Sequence, residues 1–270
     1  MTVAAENPLL DRIQERKTSI GVFANSADMV ELCAFVGFHW VMIDQMFTSN
    51  DWSRTEDLIR AAEASGITPV VRIQSNPWLG YDHRVAVDVS RANGIGAQFM
   101  MVSHSSKQEI DECVVAGKDW HRKALNIHPY RSFDDWEGGL DRQAQQTFVI
   151  PQPETRGALD SLEEVIKDPD IRIVFIAMTD ASRIITGSHR PDFHNQRLWE
   201  YVDRAVALGK EHGVTIGANT SYAYSLDEMQ HRVEMLVEHG VRMVLTQGAP
   251  FLFQLAATDF LKGLAPVLDP

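Results

Sequence analysis

The chain has 270 residues, with 25 Lys plus Arg against 37 Asp plus Glu and a formal net charge of −12 at pH 7. That balance argues against nucleic acid as a partner, because phosphate-backbone binding needs clustered Lys and Arg. A hydrophobic content of 44% with 23% charged residues excludes disordered and collagen-like chains and suits one large soluble domain.

The first eight residues carry no basic segment followed by an apolar one, and no apolar run approaches the ~20 residues of a membrane span. Cys33 and Cys113 belong to no CxxC pair. The expectation is a soluble, cytoplasmic protein with reduced thiols and no membrane partner.

Short apolar runs follow at 19–24, 39–44, 68–73, 98–103, 123–128, 146–151, 171–177, 214–218 and 241–246. Continuous apolar runs mark strands buried on both faces, as in parallel sheets. Segments of helical period lie between them at 51–65, 81–92, 105–116, 158–167, 195–212 and 225–239. Ser225 with Glu228 reads as a capping box, and Ser105 with Gln108 as a similar start. Gly66, Gly117, Gly213 and Gly240 stand where helices should stop. The alternation predicts right-handed βαβ units and a (β/α)8 TIM barrel spanning residues 1–270 as a single domain, with a doubly wound sheet as the alternative. Nine runs compete for eight strand positions, and 123–128, the most polar, is the weakest. There is no GxGxxG after a strand, no GxxxxGK[ST], no GxSxG and no HExxH.

Functional groups of a parallel barrel gather at the C-terminal ends of its strands. That rule selects Asp44, Arg72, Ser103, His104, Asn126, His128, Gln152, Glu154, Thr179 and Asp180. Glu154 and Asp180 follow consecutive strands and would converge. Two carboxylates with waters suit a hard divalent cation, with positions left for substrate oxygens. The alternative is that both are helix N-cap or first-turn carboxylates. Arg72 lies inside an apolar strand, either as a carboxylate clamp or as half of a structural ion pair. His104 and His128 are candidate general bases, or satisfied bystanders. The H-x4-H pair His189 and His194 reads as a solvated loop.

These residues sit in segments that resemble a known family. Residues 37–44 (GFHWVMID), 69–72 (PVVR), 96–98 (GAQ), 152–155 (QPET) and 174–182 (VFIAMTDAS) are similar, in order and spacing, to the HpcH/HpaI aldolases. These are metal-dependent class II pyruvate aldolases of the phosphoenolpyruvate/pyruvate barrel superfamily. The resemblance implies a divalent cation (Mg2+, Mn2+ or Co2+) on Glu154 and Asp180, and Arg72 at the keto oxygen of a 2-oxo acid. It implies that Gln152 lines the pocket and that the backbone around Thr179 and Asp180 holds the substrate carboxylate. Asp44 and Phe47 complete the expected substrate-binding set. It also implies a homo-oligomer, a hexamer built as a trimer of dimers, in which helix 250–264 is exchanged. The implied activity is carbon–carbon cleavage or formation through a metal-stabilised enolate of a pyruvate- or oxaloacetate-like acid. Two alternatives stand beside it: a decarboxylase or condensing enzyme, and a catalytically silent binding protein.

The departures from the family carry as much information. The loop after the second strand reads DQMFTSND at 44–51, where the family has close to DGEHAPND. Phe47 therefore occupies the position of the catalytic histidine. Gly94 stands where the family places that histidine's supporting aspartate, and Ala177 with Met178 replaces the usual Gly-Pro. The proton-transfer group must then be another, with His104 and His128 as candidates, or the enolate must form by decarboxylation. An apolar Phe47 suits a bulkier, less polar acceptor.

Overall fold

Eight of the nine apolar runs become strands in the computed structural model, which describes residues 8–118 and 147–268. They are β1 (Ser19–Phe23), β2 (Trp40–Asp44), β3 (Thr68–Arg72), β4 (Phe99–His104), β5 (Phe148–Pro153), β6 (Ile173–Ile176), β7 (Thr215–Asn219) and β8 (Met243–Gly248). The run at 123–128 lies outside the described residues. All pairings are parallel, in the order β5-β4-β3-β2-β1-β8-β7-β6. That order is the chain order written around a ring, and β5 and β6 at its two ends lie against each other. The result is a nearly closed (β/α)8 TIM barrel. A doubly wound sheet would instead reverse its strand order at a switch point.

The period of two along each strand divides the core. Trp40, Met42, Val70, Phe99, Met101, Ile150, Phe175, Met243 and Leu245 fill the barrel interior. The alternate positions, among them Val41, Val71, Met100 and Val102, pack against the helices. Room for the interior aromatics comes from two glycines. A Cβ on Gly21 would lie 2.2 Å from the Trp40 ring, and one on Gly217 would lie 2.6 Å from Phe175. The two rings meet edge to face, 6.5 Å apart. Gly21→Ala is expected to destabilise the fold by about 1–3 kcal/mol through overpacking, read as a lower urea midpoint at unchanged slope.

The helices are α1 (Pro8–Gln14), α2 (Ala27–Val36), α3 (Trp52–Ser65), α4 (Arg84–Gly94), α5 (Lys107–Lys118), α6 (Arg156–Asp160), α7 (Leu162–Ile166), α8 (Met178–Thr186), α9 (Gln196–His212), α10 (Leu226–Glu238) and α11 (Ala249–Leu268), with a 3-10 turn at Pro77–Leu79. Helix α1 packs against the barrel interior: Leu9 is fully buried there, and its N–H donates to Thr68 Oγ1 at 3.2 Å. Gly66 and Gly213 end α3 and α9 in the left-handed conformation, as expected. Gly117 does not stop a helix. It lies inside α5, where a Cβ would come within 3.2 Å of Val149. Ser225 accepts from the Glu228 N–H, while the Glu228 carboxylate reaches the N–H of Tyr224 rather than that of Ser225. At α5 the cap shifts by one residue. Ser106 accepts from the Glu109 N–H, and Ser105 donates from its N–H and hydroxyl to the Glu109 carboxylate. Both cysteines are buried and unpaired, and burial pushes the Cys33 thiol up to about 11. Among the described residues no helix is long and apolar enough to cross a membrane.

Candidate active site

Counting in twos from the interior residues reaches a polar layer at the C-terminal end of the barrel. Asp44 follows Met42, Arg72 follows Val70, Ser103 follows Met101 and Gln152 follows Ile150. The register sets these residues side by side, pairing Asp44 with Arg72 and Ser103 with Gln152 across adjacent strands.

Arg72 and Asp44 form a bidentate pair, Nε to Oδ1 at 2.9 Å and Nη2 to Oδ2 at 2.7 Å. Both are buried, at 7% and 4% exposure. Burying two charges is tolerable here because the fork geometry satisfies both carboxylate oxygens. Asp44 also orders the loop that follows it: its carboxylate accepts from the Met46 N–H at 2.9 Å, and its carbonyl accepts from Asn50 Nδ2 at 3.0 Å. That loop lays the Phe47 ring over the guanidinium, 4.9 Å from its centre, and Phe23 approaches at 5.5 Å. The ion-pair reading of Arg72 is thus what the geometry displays, with the fork held rigid beneath an aromatic face.

Gln152 is buried, and its Oε1 accepts from Ser103 Oγ at 3.1 Å. Glu154, two residues further, is 4% exposed. Burial pushes its carboxyl up to about 7, and the Asp180 charge adds to the rise, against the pull of Arg72. Asp180 lies in the first turn of α8, also raised by burial and opposed by Arg183 and Arg72. The N-cap alternative separates the two. Thr155, not Glu154, caps α6, whereas Asp180 is indeed a first-turn carboxylate. Helix α8 starts at Ala177 without a side-chain cap of its own, and Asn219 Oδ1 accepts from the Met178 N–H at 2.8 Å. Thr179 Oγ1 lies 2.7 Å from Ser221 Oγ, on a residue held at φ 54. Gln247 Nε2 fixes that turn by donating to the carbonyls of Ser221 and Ala223. A cavity of about 330 Å3 opens beside Asp44, between Phe23, Thr48 and Phe251.

His104 is placed elsewhere. In the strand alternation it follows Met100 and Val102 on the face turned from Ser103, it is 1% exposed, and burial drops its imidazole to about 4. Neither ring nitrogen makes a hydrogen bond to Arg72 or Glu154. His128 lies outside the described residues. Among the described residues no three His, Cys, Asp or Glu side chains group as a metal cluster. Sequence reasoning missed Asn219, Gln247 and Phe23. The available signal was the same count of two, from Gly217, Leu245 and Gly21.

Comparison with known proteins agrees with this barrel. No protein-family model matches the chain. An HpcH/HpaI aldolase from Desulfitobacterium hafniense superposes with a TM-score of 0.78 at 18% identity, over 96% of this chain and 97% of the other. The fold is that of the HpcH/HpaI aldolases. Two curated proteins are similar to this chain in sequence. The 2-dehydro-3,6-dideoxy-6-sulfogluconate aldolase of Pseudomonas putida is 23% identical over 199 residues, 71% of this chain and 74% of its own. The 4-hydroxy-2-oxovalerate aldolase of Novosphingobium aromaticivorans is 23% identical over 241 residues, 87% and 85% of the two chains.

Proposed function

We propose that the protein is a carbon–carbon lyase or synthase acting on a 2-oxo acid of the pyruvate or oxaloacetate type, with a divalent cation on Glu154 and Asp180. The carrying observation is the buried carboxyl of Glu154, held near 7 in part by the charge of Asp180. Like charges in a dry site call for a cation, and two carboxylates leave positions for substrate oxygens and water. The residues therefore fit Mg2+, Mn2+ or Co2+. When bound, such an ion draws electron density from the keto oxygen and so stabilises negative charge developing there.

The chain's own groups do the rest. Arg72, locked by Asp44, offers a fixed positive charge to the keto oxygen. Gln152, oriented by Ser103, lines the pocket. The N–H groups of Thr179 and Asp180, at the start of α8, receive the substrate carboxylate. The relatives' names, aldolases of 2-oxo acids, support the reading. The test is exchange of pyruvate methyl protons in D2O, followed by NMR. Exchange that requires the metal and disappears in Glu154→Ala supports the enzyme, and absence of both exchange and metal binding supports a silent binding protein. A second reading, decarboxylation of an oxaloacetate-like acid, is favoured by Phe47, a ring with no proton to transfer over Arg72. Loss of CO2 leaves the bonding pair on C3 and needs no base; CO2 release from oxaloacetate measures it.

This reading includes a cytoplasmic homo-oligomer that exchanges α11, on which Phe253, Phe260 and Leu261 are exposed. Light scattering should return a mass of six chains. Metal-free protein carries a pH signature. Because folding raises the Glu154 carboxyl from the ordinary 4.5 to about 7, the folded state binds the extra proton between those values. This group's contribution to stability therefore falls as pH rises from about 4.5 to 7. Melting temperatures in EDTA should show the fall, and Mg2+ at pH 7.5 should reverse it.

A further inference from the structure

We propose that the cleft beside Phe47 is the acceptor pocket, and that it takes an aldehyde with an aromatic body and no anionic tail. The proposal rests on the 2-oxo acid reading above. The cleft, about 480 Å3, lies between the loops that follow β2 and β3 and the first turns of α4. That size accommodates a ring-bearing aldehyde.

Its place relative to the site follows from two side chains. Phe47 lines the cleft and also covers the Arg72 guanidinium. Met46 lines it too, and its sulfur lies 3.7 Å from Ser103 Oγ, the group that orients Gln152. A molecule in the cleft therefore touches the walls of the 2-oxo acid site without filling it.

Its chemistry follows from the lining. Phe47 and Trp78 leave 74% and 56% of their surface to solvent at the barrel mouth, with Val85 behind them. Two such aromatic surfaces stack a flat ring at little entropic cost, and Gln74, Ser75 and Asn76, which share the lining, offer hydrogen-bond partners to polar groups on its edge. The charges select against an anion. Asp82 is engaged by Arg84 at 2.7 Å. Asp88, half-buried in the same wall, makes no ion pair among the described residues. The wall thus carries a net negative charge, which repels a carboxylate tail and accepts a phenol or ammonium donor.

In the reaction served, pyruvate gives a C3 proton to solvent water, and the electron pair left on C3 bonds to the aldehyde carbon. The carbonyl pair moves to oxygen, which takes up one proton, so the addition is proton-neutral and gives a 4-hydroxy-2-oxo acid.

The experiment compares 4-hydroxybenzaldehyde with succinic semialdehyde as acceptors for pyruvate. The expected kcat/KM is about tenfold or more in favour of the aromatic aldehyde, and Trp78→Ala should reduce that ratio about tenfold. Asp88→Asn should raise the value for succinic semialdehyde several-fold. Equal or better use of succinic semialdehyde, or a ratio untouched by Trp78→Ala, overturns the proposal. Saturation-transfer NMR with 4-hydroxybenzaldehyde reads the cleft without turnover: saturable transfer lost in Trp78→Ala supports it, and absence of transfer overturns it. Pyruvate exchange without aromatic binding removes the pocket and keeps the 2-oxo acid reading. Aromatic binding without exchange removes the 2-oxo acid reading, and with it the acceptor role.

Discussion

Glu154→Gln is expected to lower metal-dependent pyruvate exchange about a thousandfold, some 4 kcal/mol of barrier, while raising the stability of the metal-free protein above pH 7. The two effects have one cause. In the folded chain the Glu154 carboxyl is forced up to about 7, first by burial and then by the Asp180 charge. Its ionised form is therefore a cost of folding at neutral pH. Glutamine keeps the shape and loses the charge, which relieves that cost and removes the anionic ligand together. A carboxylate retained only for structure would behave oppositely, losing stability with little change in turnover. Asp180→Asn should follow the same direction with a smaller stability gain, because Asp180 is less buried and pairs at 3.8 Å with Arg183. Urea unfolding in EDTA and metal titration of the exchange rate read the two halves separately.

The barrel was legible because its strands are buried on both faces and so appear as unbroken apolar runs. The runs 39–44 and 68–73 match β2 and β3 to within a residue. Helix α2, ADMVELCAFV, marked only by the helix-like surroundings of Cys33, shows no clear amphipathic period because its exposed face is itself apolar, with Leu32, Phe35 and Val36 open to solvent. Helix α1 is too short to show a period, and its anchor, Leu9 against Thr68, joins residues 59 positions apart. At the site, the strand-end rule found the right neighbourhood but not the face. Ser103 and His104 are adjacent in sequence and so face opposite sides of the sheet, with Ser103 turned to Gln152. Only the alternation counted from Met101 separates them. The Asp44–Arg72 fork was hidden for another reason. Each residue was visible as a strand end, but the register that makes them partners is a property of two strands together.

That fork also decides what Arg72 is for. Arg72→Met should destabilise the fold by about 3–5 kcal/mol, because it strands the Asp44 carboxylate in a buried site. Arg72→Lys should recover part of that loss, since an ammonium keeps the charge but cannot make two parallel hydrogen bonds. Removing both charges, in Asp44→Leu with Arg72→Met, should return most of the stability, as buried ion pairs replaced by apolar side chains commonly do. The remaining deficit is the Met46 N–H, which loses its acceptor. Urea midpoints of the two singles and the double give the coupling directly. If the pair served only the fold, the restored double variant would regain activity along with stability. The expected result is a folded, inactive double variant. The Arg72 charge opposes the rise of both Glu154 and Asp180, and among the described residues no other group takes that place in both. In a protein of net charge −12, holding an anionic acid at the barrel mouth depends on this local reversal of sign.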